Sequence, residues 1–130
     1  MLLGTYELNL SGKNRLALPA RLRKEISGDR LVLTIGFEDC ITGFSEKKWE
    51  EATVADLAKP FFSDPNARDL RRKMFARAVV VELDSHARFV IPEGFGGFKG
   101  LGGKMVIIGA GDHFEIWESK KWEEYSAALK

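Results

Sequence analysis

The chain has little of the chemistry that cross-links a fold or builds a metal centre. Its 130 residues include one cysteine, Cys40, which excludes an internal disulfide and a cysteine-rich zinc site. The two histidines, His86 and His113, have no partner at metal-ligand spacing, so neither a metal nor another cofactor is expected. Long apolar runs are missing as well. The longest, AVVV and MVIIGA, fall far short of the ~20 residues that cross a bilayer. The start MLLGTYEL lacks a basic segment and reaches Glu7 early, unlike a secretory leader, so a cytoplasmic protein without a membrane partner is expected. An excess of one charge is also absent, with 20 Lys and Arg against 19 Asp and Glu. A hydrophobic fraction of 45% and a charged fraction of 30% belong to a globular chain, either one ordinary domain or two half-size units sharing a core.

What the chain does contain is a repeat. Shifted against itself by 73 residues without gaps, it aligns Leu10 with Leu83, Arg15 with Arg88, Pro19 with Pro92 and Ile35 with Ile108. Gly36 then meets Gly109, Asp39 meets Asp112, and KKWEE at 47–51 meets KKWEE at 120–124. Each copy reads as the same series of elements. TYELNL alternates as a strand, SGKN is a turn with Gly12 and Asn14 able to take positive φ, and RLALP is a short strand closed by Pro19. ARLRKEI is a short helix with Leu22 and Ile26 inward. RLVLTIGF and CITGF are two strands, and SEKKWEEATVADLA is a helix capped by Ser45, with Trp49, Ala52 and Leu57 on its inner face. Between the copies, Asp64 and Pro65 start a connecting helix with an apolar stripe of Ala67, Leu70 and Met74, leaving Arg68, Arg71 and Arg72 largely outward. The organisation read from this is a first unit at 1–58, a linker helix at 59–77 and a second unit at 78–130. The fold class is α+β, mainly β. A half of about fifty residues buries too little core alone, so the two halves are expected to pack as an internal dimer.

Charge is sorted along the chain even though it nearly cancels. Residues 10–24 carry Lys13, Arg15, Arg21, Arg23 and Lys24 and no acid, while acids gather on the late helix of each copy. Such a basic turn, strand and helix suits phosphate contacts, and Arg suits guanine edges. Solvated surface charges or ion pairs with Glu25 or Asp29 are the structural alternative. In the second copy, Arg21, Arg23 and Lys24 are matched by Gly94, Gly96 and Gly97 in EGFGGFKGLGGK, which reads as a loop and fits no phosphate-cradling motif. His86 replaces Lys13, while Asp84 and Arg88 remain.

With GTYELNLSGKNRLALPARLRKEI, NARDLRRKMFARA, LDSHARFVIP and FEIWESKKWEE, the chain resembles the MraZ family over essentially its whole length. That resemblance implies two tandem SpoVT-AbrB swapped-hairpin half-domains forming one pseudo-twofold, β-barrel-like core with flanking helices. It implies a DNA-binding transcriptional repressor of the division and cell-wall gene cluster, cytoplasmic and nucleoid-associated. The partners would be double-stranded DNA with tandem short promoter repeats and further copies in a ring-shaped homo-oligomer, with no small-molecule substrate. Arg15 would be the central contact, flanked by Lys13, Arg21 and Arg23, with Lys24 on the backbone and Arg88 either contacting DNA or bracing its turn. The family motif Asp-x-x-x-Arg is intact from Asp84 to Arg88. In the first copy Ser11 replaces the Asp and Asn14 the Gly, and Leu3 stands where many relatives carry Arg. Ser11, Asn14 and Asp84 are thus the turn-orienting residues. A second class is an antitoxin-like interaction module, disfavoured because the chain ends directly after a helix striped by Trp122, Tyr125 and Leu129. A third is an enzyme using His86, His113 or Cys40; no catalytic motif surrounds them, so no catalytic residue is expected.

Overall fold

The computed structural model describes residues 1–35, 37–95 and 103–129. In chain order these form β1 (Thr5–Asn9), β2 (Arg15–Ala17), α1 (Ala20–Arg23), β3 (Arg30–Thr34), β4 (Ile41–Ser45), α2 (Glu46–Leu57), α3 (Pro65–Phe75), β5 (Val79–Glu82), β6 (Arg88–Val90), β7 (Lys104–Gly109), β8 (Phe114–Glu118) and α4 (Ser119–Ala127). The architecture is α+β and mainly β. Six antiparallel strands form one sheet in the order β1-β7-β8-β4-β3-β5, and β2 and β6 form a separate two-stranded ribbon.

Alternation sorts the sheet into two faces. Leu31, Leu33, Ile41, Met105, Ile107, Phe114 and Ile116 point to one side and are buried. There they meet Leu16, Leu18, Leu22, Ile26, Phe89, Ile91 and Phe95 from the ribbon, α1 and the segments that follow. The opposite face carries the helices. Phe44 and Trp49 meet edge-on at 5.5 Å, Trp117 packs on Trp122 and Tyr125, and the buried Thr34 hydroxyl donates to the Met74 carbonyl of α3 at 3.2 Å. The molecule is therefore layered as ribbon and α1, sheet, then helices.

Local chemistry explains the elements. Ser45 caps α2 by accepting from the Lys48 N–H at 3.1 Å, and Asp64 caps α3 by accepting from Asn66 and Ala67, with Pro65 at the first helical position. Helix α1 stays a single turn: the chain leaves it through Gly28 at φ +77.

Several expectations need correction. The core is not barrel-like. The sheet is open, with β1 and β5 as its edges, because β2 and β6 are three-residue strands that pair with each other and do not close it. The gapless offset also fails at one place. Leu31 pairs with Ser45, and Met105 pairs with Glu118, so Leu31 corresponds to Met105, one position beyond the sequence match with Lys104. A slip of one residue would turn Lys104 into the core. The inner face of α2 uses Trp49 and Thr53, whose hydroxyl bonds the Trp49 carbonyl, whereas Ala52 and Leu57 are exposed. On α3, Arg68 and Arg71 do not point freely outward. They donate to the carbonyls of Phe61 and Phe62, and of Leu57 and Lys59, pinning the loop between α2 and α3. In the glycine-rich segment Gly94 has φ +91 and Phe95 is buried, while Gly96, Gly97 and the rest of 96–102 lie outside the described residues, as do Gly36 and Lys130.

Candidate nucleic-acid interface

The ribbon is where the two Arg-bearing stretches meet. Strands β2 and β6 pair antiparallel, Arg15 opposite Val90, Leu16 opposite Phe89, Ala17 opposite Arg88. Two further bonds extend the pairing, from the Leu18 N–H to the Ala87 carbonyl and from the Ile91 N–H to the Asn14 carbonyl, both 2.8–2.9 Å. Leu16 and Phe89 anchor the ribbon in the core at 0% and 2% exposure, so their neighbours must face away. The outward face carries Arg15, Ala17, Arg88 and Val90.

Each strand is entered through a tight turn with one non-glycine residue in the left-handed region, Asn14 at φ 59 and Ala87 at φ 59. Asn tolerates this conformation, whereas for Ala it is strained. What holds the second turn is Asp84. Its Oδ1 accepts from the N–H groups of His86 at 2.8 Å and Arg88 at 2.9 Å, and its Oδ2 accepts from Arg88 Nε at 2.9 Å. Those bonds, the Arg88 backbone N–H first, hold the Asp84 carboxyl below the usual carboxylate range. Ser11 supplies a different closure. Its backbone exchanges two 2.9 Å bonds with Arg15, and its hydroxyl reaches only the Arg15 carbonyl at 3.5 Å. The backbone survives the loss of the carboxylate, but the side-chain tether does not. Arg88 is half-buried and tied to Asp84, while Arg15 is exposed and makes no side-chain hydrogen bond or ion pair among the described residues.

The other expected contacts divide in the same way. Lys13, Arg21 and Lys24 are exposed, Lys13 in the turn that leads into β2, Arg21 on α1 and Lys24 at its end. Arg23 is half-buried and donates to the Ile26 carbonyl at 3.0 Å, closing the end of α1. Ser11, Asn14 and Asp84 all lie in the two turns. Of the groups considered for catalysis, His86 lies in the Asp84–Arg88 turn, and Cys40 and His113 lie elsewhere. Cys40 is buried, and burial with Glu115 nearby pushes its thiol up to about 12, leaving almost no thiolate at neutral pH. His113 stacks on Phe44 and bonds Asp112 at 2.7 Å and Glu115 at 3.1 Å. Its pKa is raised, mainly by the bond to Glu115.

Comparison with known proteins gives the lineage. A family model described as "MraZ protein, putative antitoxin-like" matches residues 1–73 and again 74–130. The chain belongs to the MraZ family. It is 38% identical to a protein named transcriptional regulator MraZ from Roseiflexus castenholzii, over 99% of this chain and 89% of that one. Proteins of the same name from Lactobacillus delbrueckii subsp. bulgaricus and Paenarthrobacter aurescens are 38% and 39% identical, over 97% and 96% of this chain and 87% and 86% of theirs.

Two features of this MraZ-family site escaped the sequence. Residue spacing could not reveal that Val90 stands across from Arg15, because that is a pairing between distant strands. The carbonyl-capping role of Arg23 was equally hidden; its i, i+3 relation to Ile26 at the end of a one-turn helix was the available signal.

Proposed function

We propose that the chain is a DNA-binding transcriptional regulator that reads duplex DNA with the β2–β6 ribbon. The observation that carries this is the outward face of the ribbon, where Arg15 is exposed and unpaired among the described residues, with Lys13, Arg21 and Lys24 exposed in the same acid-free stretch of chain. A two-stranded ribbon fits the major groove, and Arg can bridge guanine O6 and N7. Arg15 is the central contact, Lys13, Arg21 and Lys24 neutralise phosphates, and Arg88, fixed by Asp84, is the second, more rigid contact. Arg23 acts as a brace for α1. The relatives' shared name, transcriptional regulator, supports this reading.

Finer parts of the proposal follow the family resemblance. The chain is a cytoplasmic, nucleoid-associated repressor of the division and cell-wall cluster and is not an enzyme. Units 1–58 and 78–130 are AbrB-type halves related by a pseudo-twofold axis, joined by 59–77. Exchange of β1 onto β7 and β5 onto β3 supports that, as do the reciprocal bonds at Asn14 and Ala87. Copies assemble into a ring through the helix side, leaving the ribbons free. Phe62 at 93% exposure, with Phe61, Val54 and Leu57, supplies apolar area there.

The test is binding to a labelled duplex from the chain's own upstream region against a scrambled duplex, across a salt series. Preference for the native duplex is expected. Arg15→Ala should abolish that preference without changing oligomer size. Wild-type affinity in Arg15→Ala would overturn the assignment. Equal binding to both duplexes, with a stoichiometric small protein co-purifying, would favour the antitoxin-like reading that the family description carries.

A further inference from the structure

The ribbon's outward face has four positions, two cationic and two apolar, and the apolar pair needs a reason. Val90 is 45% exposed directly across from Arg15, and the exposed Ala17 is directly across from Arg88. Each arginine therefore leaves the ribbon next to an aliphatic side chain. The two pairs differ. Arg15 with Val90 joins an untethered arginine to a branched side chain, and Arg88 with Ala17 joins a tethered arginine to a single methyl.

We propose that Val90 is a specificity-determining residue that reads thymine through its C5 methyl group, one or two base steps from the base bound by Arg15. This rests on the DNA-reading proposal above and goes beyond it by giving base chemistry to a residue with no charge or hydrogen-bonding group. Directly opposed strand positions place their Cβ atoms about 4.5–5.5 Å apart. Successive bases rise about 3.4 Å along each strand. Once Arg15 is seated on a guanine edge, Val90 comes over a neighbouring step. In the major groove only thymine offers an apolar group, and aliphatic contact with its methyl is an established form of base readout. Val90 reaches further than Ala17, so the preference falls mainly on the Arg15 side of the ribbon. A reading head already polarised by its charge thereby gains a base preference on its more basic side.

The experiment starts from a preferred duplex selected with the full-length protein from a random library. All thymines in it are then replaced by deoxyuridine, which removes only the C5 methyl groups, and both duplexes are titrated at one salt concentration. Wild-type protein should bind the deoxyuridine duplex about four-fold more weakly for each contacted methyl, the transfer contribution of one buried methyl-sized group. Val90→Ala should lose most of that difference, and Val90→Thr, which keeps one γ-methyl, should retain part of it. Val80→Ala, exposed on the edge strand β5, should behave as wild type. Equal affinity of the wild type for both duplexes would overturn the inference, as would the full deoxyuridine penalty in Val90→Ala. Either result leaves the Arg15 reading intact. If selection yields no preferred duplex, the DNA-reading proposal itself falls.

Discussion

Gly43 offers a sharp test of the packing at the centre of the sheet. It sits on β4 directly opposite Phe114 of β8, in one of the pairings that join the two halves of the chain. A Cβ at position 43 would lie 2.3 Å and 2.4 Å from two atoms of the Phe114 ring, and that ring is fully buried. Gly43→Ala must therefore displace a side chain that has nowhere to go, an overpacking cost of about 1–3 kcal/mol. Phe114→Ala alone empties the site and costs about 3–5 kcal/mol. With the ring removed, the added methyl meets open space, and replacing a strand glycine gains about 0.5–1 kcal/mol. The difference between that cost and that gain gives a coupling of about 1.5–4 kcal/mol in a double-mutant cycle. Urea unfolding followed by tryptophan fluorescence measures it, as shifts in midpoint at constant slope. If Gly43→Ala leaves the wild-type midpoint unchanged, or costs the same with and without the ring, the close approach of Gly43 and Phe114 is refuted.

Two further predictions concern the helix side. Thr34→Val removes the buried donor to the Met74 carbonyl and should destabilise by about 1–3 kcal/mol, with faster amide exchange at the end of α3; an unchanged midpoint would remove that bond from the account. His113 has a raised folded-state pKa, so its contribution to stability is complete below its unfolded value near 6.5 and is lost as pH rises through the raised value; Glu115, lowered by the same bond, contributes above its unfolded value near 4.5 and loses that as pH falls through its lowered one. The wild-type advantage over His113→Gln should therefore shrink as pH rises above about 6.5 and through the raised value, and a pH-independent difference in midpoint would count against the ion pair.

Much of this fold was legible because local rules acted without competition. Asp64 and Pro65 announced α3, Ser45 announced α2, and the alternation of TYELN announced β1. The shared Arg, Pro and KKWEE marked the repeat. The acid-free segment containing Lys13, Arg15, Arg21, Arg23 and Lys24 pointed to the candidate interface before any strand was paired. Failures came where a residue's role depends on something distant in sequence. Arg68 and Arg71 read as solvent-facing because helical periodicity says nothing of the carbonyls left open at the end of α2. The inner face of α2 was misjudged because Thr53, polar by type, buries its hydroxyl by returning it to the Trp49 carbonyl.

The sequence by itself determined the elements, the repeat and the sorting of charge, since each follows from patterns within a few residues or from direct identity between copies. Tertiary structure decided the rest. It made β7 the counterpart of β3 at one residue away from the sequence match, because burial of Leu31 and Met105 outweighs the coincidence of Ile35 with Ile108. It left the sheet open by pairing β2 with β6, and in doing so put Val90 beside Arg15. It also freed Arg15 while tying down Arg88, since Ser11 keeps the turn but has no carboxylate to hold a guanidinium. Pairing between strands so far apart in the chain is fixed by which faces can be buried together, and no local pattern encodes that choice.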